Sequence, residues 1–178
     1  MIFYIAQAVG FVGMIMAFIS FQKSNREGII LFQIMASFIF TLHFTLLGTI
    51  TNDYTGAVMN VLGVIRNIIF LHREKSWANN KAWLYIFLLF FIVSGIITYR
   101  NIFSLFPVLG MCIASVALWM RNSKHTRFIV IFASPCWLIY NIVNHSIPGV
   151  LTESFVLISL TISIIRYDLL KIPVKVKK

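Results

Sequence analysis

In one apolar stretch of this chain, Asn60, Gly63, Arg66 and Asn67 recur at spacings of three and four, which on a helix puts two amides and a guanidinium on one face. A second stretch repeats the arrangement with Ser159, Ser163 and Arg166. Two others add mildly polar stripes: Gln33, Ser37 and Thr41, with His43 set to one side, and Ser134, Trp137, Asn141 and Asn144. These residue types suit recognition. A solute rich in hydroxyl groups is held by an aromatic face over its C–H surface and by amides or hydroxyls that read its OH groups. Trp137, Phe40 and Tyr140 are candidates for the first task and Asn60, Asn141, Ser37 and Ser134 for the second, with His43 beside them. Arg66 and Arg166, with Asn67 and Ser163, suit a gate or a contact with an anion.

Bond-breaking chemistry finds little footing. No nucleophile and base, metal-ligand cluster or phosphate-binding loop stands at catalytic spacing, so the chain reads as a non-enzyme with no cofactor and no metal. His43 lacks a partner in sequence and suits a hydrogen-bonded helix contact. Cys112 and Cys136 read as inert buried thiols.

The elements that position these residues are membrane spans. With 60% hydrophobic residues, 11% charged and a mean hydropathy of +0.90, the chain lacks the polar surface to clothe a soluble globule. Apolar stretches fall at about 3–20, 29–48, 55–71, 82–98, 102–120, 128–143 and 153–169, most near the ~20 residues that cross ~30 Å of hydrocarbon. The net charge of +10 is topology and not a nucleic-acid footprint. Lys23 and Arg26, Arg73, Lys75 and Lys81, Arg121, Lys124 and Arg127, and Lys171, Lys175, Lys177 and Lys178 share one side of the membrane, against Arg100 on the other. Positive-inside bias puts the N-terminus outside and the C-terminus in the cytoplasm. The first stretch has no basic region before it and no cleavage site, so it is expected to stay as a span.

The chain also looks duplicated. Gly10 and Ala17 recur as Gly110 and Ala117, Ala36-Ser37 as Ala133-Ser134, and Val64-Ile65-Arg66 as Ile164-Ile165-Arg166, at offsets of 100, 97 and 100 residues. Two units of three helices joined by a single helix must point the same way. The expectation is therefore seven transmembrane helices in a 3+1+3 arrangement: triple-helix bundles over 1–76 and 101–170, a linker helix over 77–100 and a basic cytoplasmic tail over 171–178. Bland readings stand beside the polar stripes, since Gly, Ser and Thr also let membrane helices pack closely and Arg66 and Arg166 could snorkel to headgroups.

Motifs narrow the comparison. Trp137-Leu138-Ile139-Tyr140-Asn141, with Phe40-Thr41-Leu42-His43-Phe44 as its counterpart, resembles the Trp-x-x-Tyr-Gly signature of the SWEET and PQ-loop transporter superfamily, and Asn60-Val61-Leu62-Gly63 resembles its Asn-x-x-Gly. Over nearly the whole length, Ala6-Gln7-Ala8-Val9-Gly10, Leu42-His43-Phe44-Thr45-Leu46-Leu47-Gly48, Phe106-Pro107-Val108-Leu109-Gly110 and the paired Ile-Arg resemble the YgjV-like (Imp-YgjV) family of bacterial inner membrane proteins. The superfamily resemblance implies two bundles about a central pathway, with Asn60 and Trp137 in the pocket. Position by position, Leu160 stands where a second Asn60 would be and Phe40 where a second Trp137 would be.

Together these readings imply a multi-pass inner-membrane protein that carries a small polar solute, a sugar, a sugar acid or a similar metabolite, through a site between the repeats by rocking of the bundles. A receptor or adaptor on the same scaffold is the alternative. The lipid bilayer and the solute are the expected partners, and a homo-oligomer is left open. Asp53, Glu153 and Asp168 sit near the ends of the drawn segments, which favours facilitated diffusion over ion coupling.

Overall fold

The computed structural model describes residues 1–23, 26–120 and 123–170. The tail 171–178, with its four lysines, and Arg121 lie outside the described residues, as do the side chains of Arg26, Lys124 and Asp168. Among the described residues the regular elements are helical: α1 (Ile2–Gln22), α2 (Arg26–Thr51), α3 (Thr55–Leu71), α4 (Ala82–Ile97), α5 (Leu105–Trp119), α6 (Ser123–Val143) and α7 (Ile147–Ser163). A 3₁₀ turn, Ile102–Ser104, leads into α5, and α7 runs on into π-helical turns over Ile164–Leu169.

Five stretches are long and apolar enough to cross a membrane: Ile2–Ser20, Glu27–Thr51, Ile102–Trp119, His125–Val143 and Ile147–Arg166. α3 and α4, expected as spans, have only 17 and 16 residues, about 26 and 24 Å of helix, short of the ~30 Å hydrocarbon. Large apolar side chains face outward along these elements, among them Leu89, Ile97 and Phe132. Such a surface has a favourable environment only in lipid.

Two boundaries differ from the hydropathy reading. α6 begins at Ser123, and α7 begins at Ile147, six residues before the drawn start at 153. Pro148 and Gly149 look like helix breakers in sequence. In the structure Ser146 is the N-cap of α7, its side chain accepting from the Gly149 N–H at 3.2 Å, and Pro148 sits in the first turn, where a missing N–H costs nothing.

The seven helices close on themselves. α2 packs between α1 and α3, α6 packs between α5 and α7, and the ring closes through α1 against α7 and α3 against α5, with α4 lying against α3 and α5. One buried cluster, including Met59, Phe70, Phe87, Phe91 and Met111, fastens α4 to α3 and α5. The other, Ala6, Phe44, Leu47, Ala57 and Tyr140, joins α1, α2 and α3 to α6.

A backbone feature sets the register between the two halves. Asn52 and His145 take left-handed conformations, with φ of 57° and 55°, and they lie 93 residues apart in the turns before α3 and α7. The next residue in each turn accepts a first-turn N–H of the following helix: Asp53 Oδ1, just before the N-cap Tyr54, accepts from the Thr55 N–H at 2.9 Å, and Ser146, itself an N-cap, accepts from Gly149. Counting from these turns pairs Gly56 with Gly149, Asn60 with Glu153 and Phe44 with Trp137. The offset of 100 read from the Ile-Arg pairs does not hold here, because Arg66 lies 11 residues into α3 and Arg166 lies in the π-helical turns beyond α7.

Candidate functional site

A cavity of about 420 Å³ lies between the two halves. From the first half, α2 contributes Ser37 and Phe40 to its wall, and α3 contributes Asn60, Arg66 and Asn67. From the second half, Ser134, Trp137 and Asn141 come from α6 and Ser163 from α7. Nine of the twelve candidate residues are thus brought together.

The other three are placed elsewhere. Tyr140 is fully buried outside the cavity, its hydroxyl accepting the Gly56 N–H at 2.8 Å. Arg166 is exposed in the π-helical turns and does not line the void. His43 is fully buried, with Nδ1 2.7 Å from the Ala6 carbonyl and Nε2 2.7 Å from Ser146 Oγ. A carbonyl only accepts, so Nδ1 carries the proton and the Ser146 hydroxyl donates to Nε2. The orientation is that of a nucleophile and its base, but Ser146 is also fully buried, lies off the cavity and caps α7. Its role is to hold a turn.

That turn belongs to a plug. Gln7 Nε2 donates to the His145 carbonyl at 2.8 Å and Gln7 Oε1 accepts from the Ile147 N–H at 3.0 Å, so α1 and α2 together grip the start of α7. The other half reciprocates. Ser104 Oγ, just before α5, donates to Asp53 Oδ2 at 2.9 Å, and Tyr140 of α6 receives the Gly56 N–H. Gln7, His43, Asp53, Tyr140, Ser104 and Ser146 are all buried, and none lines the void. The cavity therefore has a sealed end, formed by the α2–α3 and α6–α7 turns. At its other end it reaches Leu118 and Ser163, in the last turns of α5 and α7, on the face that carries Lys23, Arg73 and Lys75.

Inside the cavity the polar groups are unevenly satisfied. Arg66, only 6% exposed, donates through Nη1 to Ser115 Oγ at 2.9 Å and through Nη2 and Nε to Asn67 Oδ1 at 3.1 and 3.3 Å. Its guanidinium turns inward, which decides against snorkelling for this residue. Asn60 Nδ2 is spent on the Gly56 carbonyl one turn back, at 2.9 Å. Asn141, 2% exposed, has an Oδ1 with no hydrogen-bond partner. This oxygen lies so close to Gly149 that a Cβ on the glycine would overlap it. Phe44 also lines the void, with its ring centroid 6.1 Å from that of Trp137. Phe44 is thus the counterpart of Trp137, in place of Phe40.

The residue that the sequence reading missed is Glu153. Because α7 starts at Ile147, Glu153 lies about 9 Å along the helix and not at its end. It lines the cavity, is hydrogen-bonded to Ser134, and occupies the place matching Asn60 in the other half. The ground for preferring facilitated diffusion, the lack of an acidic group among the spans, is removed. The signal was available in Ser146-Ile147-Pro148, a capping serine followed by a first-turn proline.

Comparison with known proteins agrees with this picture of a membrane chain. The model of the Imp-YgjV family, described as a bacterial inner membrane protein, matches residues 4–171. The chain is 26% identical over 165 residues to the inner membrane protein YgjV of Escherichia coli (strain K12), covering 93% of this chain and 85% of that one. No solved structure matches.

Proposed function

The chain belongs to the Imp-YgjV family of bacterial inner membrane proteins, and we propose that it carries a small polar solute across that membrane. The observation that carries this reading is the cavity of about 420 Å³, walled by both halves of the chain, sealed at one end and reaching the helix ends at the other. A void lined by amides, hydroxyls and aromatic rings, with a buried amide oxygen left unpartnered, is costly to maintain in an apolar protein unless a ligand completes it.

In this proposal α1–α3 and α5–α7 are two parallel three-helix units joined by α4, and transport is the rocking of one against the other. Placing the basic loops in the cytoplasm makes the arrangement inward-facing. The plug of Gln7, His43, Asp53, Ser104, Tyr140 and Ser146 is then the closed outer gate. The bonds of Gln7 to His145 and Ile147, His43 to Ser146, Ser104 to Asp53 and Gly56 to Tyr140 each join one unit to the other, so opening breaks them together.

Thermal unfolding of the purified protein against millimolar sugars, sugar acids, polyols and amino acids tests the reading. A ligand at 100 times its Kd stabilises the folded state by about 2.7 kcal/mol. The expected result is a stabilising compound whose effect is lost in Asn60→Ala or Trp137→Ala. A flat profile across the panel favours a receptor or adaptor on the same scaffold.

A further inference from the structure

We propose that the solute is a zwitterion, an amino acid or a compound of similar charge pattern, held with its ammonium group at Glu153 and Asn141 and its carboxylate at Arg66. The inference rests on the transporter reading and names the class of solute for that same cavity.

Three observations carry it. Arg66 and Glu153 line one cavity from different halves of the chain, and their recorded partners are neutral: Asn67 and Ser115 for the guanidinium, Ser134 for the carboxylate. Opposite charges in an apolar interior are costly unless each meets a counter-charge, and a ligand with both supplies them. Second, the acceptors cluster. Asn141 Oδ1, 2% exposed and without a donor, lies against Gly149, and Glu153 stands one turn further along the same face of α7. A carboxylate and an unpartnered amide oxygen together call for a group with several N–H donors, which an ammonium has and a sugar acid lacks.

Third, the guanidinium is displaced from that cluster along the cavity. Counted from the equivalent left-handed turns at Asn52 and His145, Arg66 lies six residues further along α3 than Glu153 does along α7, a difference in depth of about 9 Å. The acceptor cluster therefore sits toward the sealed end and the guanidinium toward the open one. A solute bound between them is oriented, with its ammonium toward the sealed end.

The test uses the purified full-length protein and a series of probes that differ in charge: γ-aminobutyrate, glutamine and glycine as zwitterions, butyrate and gluconate as anions, butylamine as a cation and glucose as a neutral polyol. At least one zwitterion is expected to raise the unfolding temperature, with butyrate and butylamine at least tenfold weaker. Glu153→Gln, which keeps the shape and removes the charge, is expected to weaken γ-aminobutyrate tenfold or more and leave butyrate unchanged or tighter. A destabilised but merely structural site would not produce that change of preference. Arg66→Lys, which keeps the positive charge, is expected to retain zwitterion binding with reduced affinity. Stabilisation by glucose or gluconate without any zwitterion overturns the inference and leaves the transporter reading intact. No effect from any probe counts against both.

Discussion

Tyr140→Phe is the sharpest perturbation of the plug, because it removes one oxygen and leaves the ring in place. That oxygen accepts the Gly56 N–H at 2.8 Å, and both residues are buried. Gly56 lies in the first turn of α3, so its N–H has no carbonyl within the helix to bond to. Leaving such a donor buried and unpartnered costs about 1–3 kcal/mol. The cost falls on the closed state alone if water reaches the N–H when the halves part, and it then shifts the closed–open equilibrium by about 5- to 150-fold. The assay is labelling of Ala57→Cys, a position 6% exposed in the same cluster, by a membrane-impermeant maleimide. Cys112→Ser and Cys136→Ser remove the native thiols. Labelling from the face bearing the α2–α3 turn is expected to accelerate at least fivefold in Tyr140→Phe. A lowered unfolding temperature with an unchanged labelling rate would refute the reasoning, because the bond would then support the fold and not the gate.

Three further outcomes follow from contacts at the two ends of the site. Asp53→Ala removes the acceptors for the Thr55 N–H and for the Ser104 hydroxyl, and about 1–2 kcal/mol lost from the buried Thr55 N–H alone should lower the unfolding temperature by about 2–8 °C. His43→Phe keeps a ring but leaves the buried Ser146 hydroxyl without its acceptor; about 1–3 kcal/mol of destabilisation is expected by the same measurement, together with faster labelling at Ala57→Cys. Gly110→Val is expected to abolish solute-induced stabilisation and to cost about 1–3 kcal/mol, since a Cβ there would stand 2.7 Å from Trp137 Cδ1 and 2.9 Å from its Nε1; binding calorimetry with the stabilising compound checks the first part.

The helices, five of them long and apolar enough to cross a membrane, and the polar stripes were legible in sequence because both depend on local pattern. Hydropathy found the seven helices, and three- and four-residue spacing put Asn60, Arg66 and Asn67 on one face that does line the cavity. What local pattern could not supply was the partner of each buried polar group. Gln7 meets His145 and Ile147 across 138 and 140 residues of chain, and His43 meets Ser146 across 103. His43 and Tyr140 have the chemistry of binding residues, and only their neighbours show that they serve the plug. Arg166 went astray for another reason: the match of Ile-Arg with Ile-Arg is a match of letters, and the two residues sit at different depths.

That misalignment bears directly on function. In the proposed arrangement of two parallel units, residues facing each other are those at equal distance from equivalent landmarks, and the landmarks here are the left-handed Asn52 and His145 with the residues after them that accept a first-turn N–H. Counted from them, the partner of Asn60 is not the apolar Leu160 but Glu153, and the partner of Arg66 is Ser159. A pocket with Leu160 opposite Asn60 would be half apolar, with little to distinguish one polar solute from another. With Glu153 there, the two halves have diverged in charge at two matched positions, each contributing one charge of opposite sign to the same void. Neutral solutes would need neither charge. The divergence makes sense for a ligand that is itself unsymmetrical in charge, because a symmetric pocket could not tell its two ends apart.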